Sequence, residues 1–305
     1  MKKNILAISL GMAMAASLLA GCGSSAEETT AAETEAAETK AETETEAEAE
    51  ETEAEETEAA EDTEAAAEAG EDGEAGGTLI VGFDQDFPPM GFIGDDGEYT
   101  GFDLELAQEV ASRLGLEYKP QPIAWDAKDM ELESGSIDCI WNGFTMEGRE
   151  DDYTWSDPYM DNSQVFVVRN DSGITSAADL AGKVVEVQID SSGQKALEAN
   201  EELTDTFAQL ITTPDYNTAF MDLEQGTVDA ICMDVIVAGY QIQEREADMT
   251  ILEDEVASES YGIGFKKGNT ELRDKVNDTL KEMAADGTLA EISNKWFGTD
   301  VTTIK

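Results

Sequence analysis

The sequence predicts an α/β protein of two lobes, each a parallel or mixed sheet flanked by helices, with two chain crossings forming a hinge between them. Three observations lead there. From residue 78 onward, short β-rich runs alternate with stretches whose apolar residues recur at helical spacing, which is the pattern of βαβ units. One phrase is written nearly twice, ESGSIDCIWNGFT at 133–145 and EQGTVDAICMDVI at 224–236, so the two halves share a structural event. The 228 residues from Thr78 to Lys305 suffice for one large domain or two small ones.

TLIVGFD opens the globular part as a strand, and DDGEY carries the Asp-Gly signal of a hairpin turn. FDLELAQEVASRLGL places apolar residues at helical spacing from Leu104 to Leu114, with Gly115 as the stop. YKPQPIAW reads as the next strand, and DMELESGSIDCIWNG as a helix stopped by Gly135 followed by a strand from Ile137. The second half repeats that order: GKVVEVQI a strand, SSGQKALEAN a helix, AQLITTP a strand, YNTAFMDLEQG a helix, TVDAICMD a strand. Crossings between the halves fall on SQVFVVRN (163–170) and SYGIGFKKGN (260–269), and two helices, ELRDKVNDTLKEMAADG and LAEISNKWFG, finish the chain. The boundaries are therefore lobe 1 at 78–166 plus 260–305 and lobe 2 at 167–259. In open α/β sheets ligands bind outside the carboxyl ends of strands, so WNGFT and CMDVI are expected to form two lips of one cleft. Two sheets without a shared site are the competing reading.

The front of the chain is of another kind. Met1, Lys2 and Lys3 precede an apolar run from Ile5 to Ala20 and then LAGC, which together make a basic n-region, an h-region and a small-residue cleavage site. The run is shorter than the roughly 20 residues a helix needs to cross a bilayer. LAGC resembles the lipobox of bacterial lipoproteins, which implies cleavage after residue 21 and a lipid on Cys22; an ordinary secretory signal with a chance cysteine is the alternative. From Gly23 to Gly77 the composition reduces to Glu, Thr and Ala with a few Gly, Ser and Asp, holding 22 acids against Lys40 alone. Such a segment cannot bury enough apolar area to repay the entropy of ordering, so 22–77 reads as a solvated tether with a reach of about 40 Å.

Charge and composition exclude several classes of function. Of the formal −51, the residues from 78 onward hold −32, a surface that repels nucleic acid and anionic lipid. With no His anywhere, imidazole catalysis and His-ligated metal sites are excluded, and with Cys139 and Cys232 the only thiols besides Cys22, a Cys-rich zinc site is excluded too. The two thiols fall in buried strands of opposite lobes and are expected to stay free. No cofactor is expected. DDGEYTGFD fails the EF-hand spacing and is better explained by a hairpin.

GFDLELAQEVASRL at 101–114, with GFDQDFPPMGF, LESGSIDCI, REDDYTWSDPY, LAGKVVEVQIDSSG, AFMDLEQGTVDAICMD, YGIGFKKGN and DGTLAEISNKWFG in the same order, resembles the extracellular solute-binding proteins of family 3, the amino-acid receptors of ABC importers. The resemblance covers residues 78–298. It implies the two-lobed, type II periplasmic-binding-protein-like fold, a monomer that captures an L-amino acid by cleft closure, and delivery to a membrane permease. It also implies roles for residues. The ligand's α-carboxylate would meet Arg149, Thr145 and the amides of Ser191 and Ser192; the α-ammonium would meet Asp234, helped by the Gly143 carbonyl. Phe87 and Trp125 would supply apolar walls, Asp84 would face the ligand's side chain, and Asn142 and Asp190 stand where smaller residues are usual and would reshape the pocket. The stretch TMEGR is one residue shorter than the family's pattern, with Glu147 in place of a hydroxyl.

The chemistry agrees with that assignment: guanidinium offers a carboxylate a two-pronged donor, and SSGQKAL presents a helix N-terminus that favours an anion. Rival readings exist for each residue. Arg149 could pair with Glu147 or Asp151, Asp234 could cap the helix VIVAGYQI, Phe87 and Trp125 could be core, and Asp84 could cap a turn. The extra negative charge of Asp84 and Asp190 disfavours Glu and Asp as ligands and leans toward Arg, Lys, Gln or cystine. Two other functions share the fold: a dehydratase of cyclohexadienyl acids, with Asp84 and Asp190 as candidate general acids, and a tethered sensor that presents its ligand to a receptor.

Overall fold

A computed structural model describes residues 77–305; the expected signal peptide, Cys22 and nearly all of the tether lie outside the described residues. The first strand, β1 (Thr78–Phe83), runs through a small antiparallel sheet of β2 (Asp86–Phe87), β3 (Gly91–Ile93) and β4 (Tyr99–Thr100) into helix α1 (Phe102–Leu114). The expected DDGEY turn joins β3 to β4. Gly101 precedes α1 at φ 143°, and a Cβ there would sit 2.3 Å from the Met90 carbonyl oxygen, so only glycine lets α1 pack this close to the hairpin. β5 (Glu117–Pro122), α2 (Lys128–Ser134) and β6 (Cys139–Thr145) complete the first half. β7 (Thr154–Trp155) and β8 (Met160–Arg169) lead onward.

The second half holds β9 (Val184–Gln188), α3 (Ser192–Ala199), α4 (Glu201–Thr204), β10 (Gln209–Thr213), α5 (Tyr216–Gln225), β11 (Ala230–Asp234) and α6 (Val235–Glu244). The chain returns along β12 (Met249–Phe265) and ends in α7 (Thr270–Asp286) and α8 (Thr288–Phe297). The nine-stranded sheet has the order β10, β9, β11, β8, β12, β6, β1, β5, with β7 paired to β12 off that path. On one flank β6, β1 and β5 are parallel; on the other β11, β9 and β10 are parallel; β8 and β12 lie between them, antiparallel to each other and to their outer neighbours. The two expected sheets are thus knitted into one hydrogen-bonded path by the two crossing strands.

The repeated phrase has one structural meaning. Gly135 and Gly226 end α2 and α5 in the left-handed conformation, at φ 80° and 73°. Three residues on, Asp138 and Asp229 each accept the amide of a residue in the adjacent parallel strand, Ile80 at 2.7 Å and Val184 at 2.9 Å. Each Asp amide also donates to the carbonyl of that same residue, at 2.8 and 2.9 Å. Glycine stops the helix, aspartate clamps the neighbouring strand, and the apolar run enters the core beside the central strand pair.

The return strand is longer than the sequence suggests. It was expected from residue 260, yet it begins at Met249, because ILEDEVASE pairs with β8 through two register shifts despite an acidic composition that carries no strand signal. Cys139 and Cys232 are buried and free, as expected. Among the described residues, no helix is long and apolar enough to cross a membrane, and no cluster of acidic, Cys or His side chains could hold a metal ion.

Candidate functional site

The carboxyl ends of β1, β6, β9 and β11 converge on one cavity lined by Asp84, Phe87, Trp125, Asn142, Gly143, Thr145, Arg149, Gln188, Ser191, Ser192 and Asp234. Ten of these eleven are sequence-expected positions, and the two repeated phrases do meet there, through Asn142, Gly143 and Thr145 of β6 and Asp234 of β11. Asp190 is the exception. It lies at positive φ, 56°, its carboxylate forms an ion pair with the buried Lys128, and its carbonyl accepts from Lys128 Nζ at 3.4 Å and Arg149 Nη2 at 3.1 Å. Asp190 therefore joins the two halves of the molecule outside the cavity; it does not line it. Asp residues tolerate the left-handed region, which aims this side chain back at Lys128.

Arg149 reaches the cavity over a short turn. Its amide donates to the Met146 carbonyl at 3.1 Å, Gly148 takes φ 75°, and Glu147 turns outward to accept the Ser260 amide at 2.9 Å. The shortened TMEGR stretch thus still delivers the guanidinium, which is 2% exposed. Its hydrogen bonds go to carbonyl oxygens, of Thr145 at 3.3 Å and Asp190 at 3.1 Å, and its Nε has no partner among the described residues. Among the described residues no carboxylate lies within ion-pair distance of it, so the expected rivals Glu147 and Asp151 are not its partners. A buried cation without a counter-charge is costly, and an anion entering the cavity would relieve that cost.

Asp234 stands at the end of β11. It holds the N-cap position of α6 but makes no capping hydrogen bond; its Oδ1 instead accepts from Tyr261 Oη at 2.6 Å and Asn162 Nδ2 at 2.8 Å. Burial, and then the neighbouring Glu259 carboxylate, push its pKa up to about 8. Asp84, at the end of β1, accepts from Gln188 Nε2 at 2.6 Å and from the Asp86 amide at 2.9 Å; burial raises its pKa to about 6 against those bonds. The turn-cap reading of Asp84 is correct for one oxygen, while the other faces Gln188. Asn142 holds the Asp84 amide at 2.9 Å and, among the described residues, keeps Nδ2 without a partner.

The walls are apolar and fixed. Trp125 meets Phe144 edge-on at 5.5 Å, and Phe87 meets Tyr216 at 6.0 Å. Gly143 has φ 55°, and a Cβ there would lie 3.0 Å from the Phe87 ring and 3.1 Å from the Tyr261 ring. Its amide donates to Asp103 Oδ2 at 2.6 Å, and that carboxylate, wholly buried, has its pKa raised to about 7 by desolvation. The Asp of GFDLELA therefore positions β6. On the opposite side Ser191 caps α3 by accepting the Gln194 amide at 3.1 Å, and Ser192 Oγ meets Thr145 Oγ1 across the cavity at 3.1 Å.

Four residues at or beside the cavity were not legible as such. Gln188 sits at the carboxyl end of β9, and the strand-end rule could have found it. Lys128, Asn162 and Glu259 carry no sequence signal, because their roles depend on the pairing of β8 with β12 and the approach of α2 to the β9–α3 turn.

A buried guanidinium and buried carboxyl groups in one cavity at the carboxyl ends of parallel strands, in two half-sheets joined by two crossing strands, define a two-lobed solute receptor. Residues 79–299 match the sequence profile of the bacterial extracellular solute-binding proteins, family 3, and the chain belongs to that family. It is similar to the L-cystine-binding protein TcyJ of Escherichia coli, 36% identical over 229 residues that cover 74% of this chain and 85% of that relative. It is similar also to the L-cystine-binding protein TcyA of Bacillus subtilis, 33% identical over 229 residues covering 74% and 83%. Among solved structures it resembles an ABC uptake transporter substrate-binding protein from Streptococcus pneumoniae with bound histidine, with TM-score 0.72 and 38% identity over 74% of this chain and 94% of that one.

Proposed function

We propose that this protein is an extracytoplasmic receptor that captures an L-amino acid with a polar, cationic or zwitterionic side chain and delivers it to the permease of an ABC importer. The observation that carries the reading is the charge arrangement. Arg149 and Asp234 are both buried in one cavity and do not pair with each other, and an α-amino acid brings the two complementary charges. In this reading Arg149, Thr145 and the start of α3 take the α-carboxylate, Asp234 and Gly143 take the α-ammonium, and Phe87 and Trp125 enclose the side chain. Asn142 and the Asp84–Gln188 pair meet its far end. The names of the cystine-binding relatives and the bound histidine of the solved neighbour support an amino-acid ligand.

Closure uses β8 and β12 as the hinge between lobe 1 (78–166 plus 260–305) and lobe 2 (167–259). Contacts between those lobes fit a closed cleft: Lys128 with Asp190, Gln188 with Asp84, and Asn217 Nδ2 donating to Asp86 Oδ1 at 2.7 Å. We assign no chemical step to the chain. The carboxylates an enzyme reading would use are committed, Asp190 to Lys128 and Asp84 to Gln188 and the Asp86 amide. The LAGC sequence supports export and a lipid on Cys22, with 22–77 as tether.

The test is a thermal-shift panel of L-amino acids plus cystine on protein starting at Thr78, unfolded and refolded to remove resident ligand. A ligand at 100 times its Kd adds about 2.7 kcal/mol, which moves Tm by roughly 5 to 10 °C for a domain of this size. A flat panel would defeat the amino-acid reading.

A further inference from the structure

Behind Asp234, away from the cavity, lies a second buried carboxylate that the binding reading above does not use. Glu259, on β12, is 6% exposed, and Asp234 is 3% exposed. The single Asn162 Nδ2 donates to both, at 2.8 Å to Asp234 Oδ1 and 2.6 Å to Glu259 Oε1, which bounds the separation of those oxygens at about 5.4 Å. Gln164 Nε2 donates to Glu259 at 2.8 Å and to Ser192 Oγ at 3.1 Å, so the pair is wired to both central strands and to the start of α3. Among the described residues neither carboxylate has a Lys or Arg within ion-pair distance.

We infer that Glu259 is a positioning residue for ligand capture: its carboxylate, set beside Asp234 in a buried site, adds to burial in making Asp234 hold a proton, which leaves for solvent when the ligand's ammonium docks there. The inference rests on the amino-acid reading for the docking cation. Two like charges this close in a buried site cannot both ionise freely, and an arriving cation replaces the proton as counter-charge. The proton passes to water and no bond other than its O–H is broken. The other groups facing the pair do not compete for it. Tyr261 from β12, Tyr216 from α5 and Cys232 from β11 are all held neutral by burial, and Tyr159 behind Tyr261 likewise. Asn162, Gln164 and Ser192 do not titrate. On its far side Glu259 shares a groove with Glu147, Asp161 and Glu255, which only add negative charge. The raised pKa of Asp234, about 8, agrees with the geometry.

The sign follows from linkage. A carboxyl raised in the free protein and lowered in the complex releases its proton on binding, so affinity rises with pH up to the free value and then levels off. The experiment is isothermal titration with L-arginine, or with whichever L-amino acid the thermal panel selects, in buffers of different ionisation enthalpy between pH 6 and 8.5. Wild type should release roughly one proton per ligand near pH 6.5, with the association constant rising by up to about tenfold per pH unit below pH 7.5. Glu259→Gln keeps an acceptor oxygen for Asn162 and Gln164 and should release less at pH 6.5, with the pH-dependent rise in affinity moved to lower pH. Buffer-independent enthalpy in wild type would overturn the inference, and so would release that persists undiminished in the variant. A second measurement needs no ligand: carboxyl carbon NMR titration of the empty protein, with Asp234 assigned by its loss in Asp234→Asn. A midpoint near 8 in wild type that moves down in Glu259→Gln, while staying above the ordinary range because burial remains, is expected; an ordinary midpoint in wild type, or one that does not move in the variant, overturns the pair. If no amino acid binds, that titration separates failure of the receptor reading from failure of the pair.

Discussion

Replacing Arg149 with Met should weaken ligand binding severely while leaving the empty protein as stable as before or more so. The side chain is 2% exposed and gives its hydrogen bonds to two backbone carbonyls, and among the described residues its Nε has no partner and no carboxylate lies within ion-pair distance. Removing one partner of a buried, hydrogen-bonded charge pair costs about 2 to 5 kcal/mol, a loss of affinity of roughly 30-fold to several thousand-fold. The empty protein experiences the opposite change. Met follows the same alkyl path beside Phe144, whose ring centre lies 5.1 Å from the guanidinium carbon, and an uncompensated buried charge disappears. Isothermal titration should show the affinity loss, and thermal melts of ligand-free protein should show a Tm within about 4 °C of wild type or above it. Unchanged affinity would refute the placement of the carboxylate. A collapse of ligand-free stability would show Arg149 to be a structural residue whose two carbonyl bonds outweigh its isolation.

Asp190→Asn keeps the left-handed backbone and the carbonyl acceptor but removes the charge that faces Lys128, whose ammonium burial already disfavours; stopped-flow release should speed up by roughly 5- to 30-fold, from about 1 to 2 kcal/mol of lost closure. Gly143→Ala places a methyl 3.0 Å from Phe87 and 3.1 Å from Tyr261 at φ 55°, so a stability loss of about 1 to 3 kcal/mol in denaturant melts, with loss of binding, is expected. Stability of the empty protein should fall as pH rises from about 5 to 8. Burial first of all raises Asp84 to about 6, Asp103 and Glu186 to about 7 and Asp234 to about 8, all above the ordinary carboxylate range. The native state then holds more protons than the unfolded chain throughout that window, and stability declines with pH. Urea melts at pH 5 and pH 8 check this, and Glu186→Gln should reduce the difference.

Element type was legible wherever periodicity and glycine stops agreed: α1, α2 and α5 end at Gly115, Gly135 and Gly226 in the left-handed conformation that glycine adopts without strain. The first half of β12 was not. Its acidic residues leave one face of the strand in solvent, and its strand character comes from pairing with β8, which no local window contains. At the site, residues on strand ends were legible because strand ends in α/β sheets point at the cleft. Asp190 was misplaced for a related reason: it follows such an end, but a single positive φ turns its carboxylate to Lys128.

The sequence by itself determined the class of fold, the equivalence of its two halves and the residue types that meet in the cleft. Those properties reside in spacing: a helix period, a glycine stop, an Asp three residues later, an apolar strand. Tertiary structure alone decided the charge states and the partners. That Arg149 meets Asp190 through its carbonyl and not its carboxylate, that Asp234 shares Asn162 with Glu259, and that Lys128 is buried against Asp190 depend on contacts across 41 to 97 positions of chain. Electrostatic energy is set by distance in space and by exclusion of water, and neither is written in the order of residues.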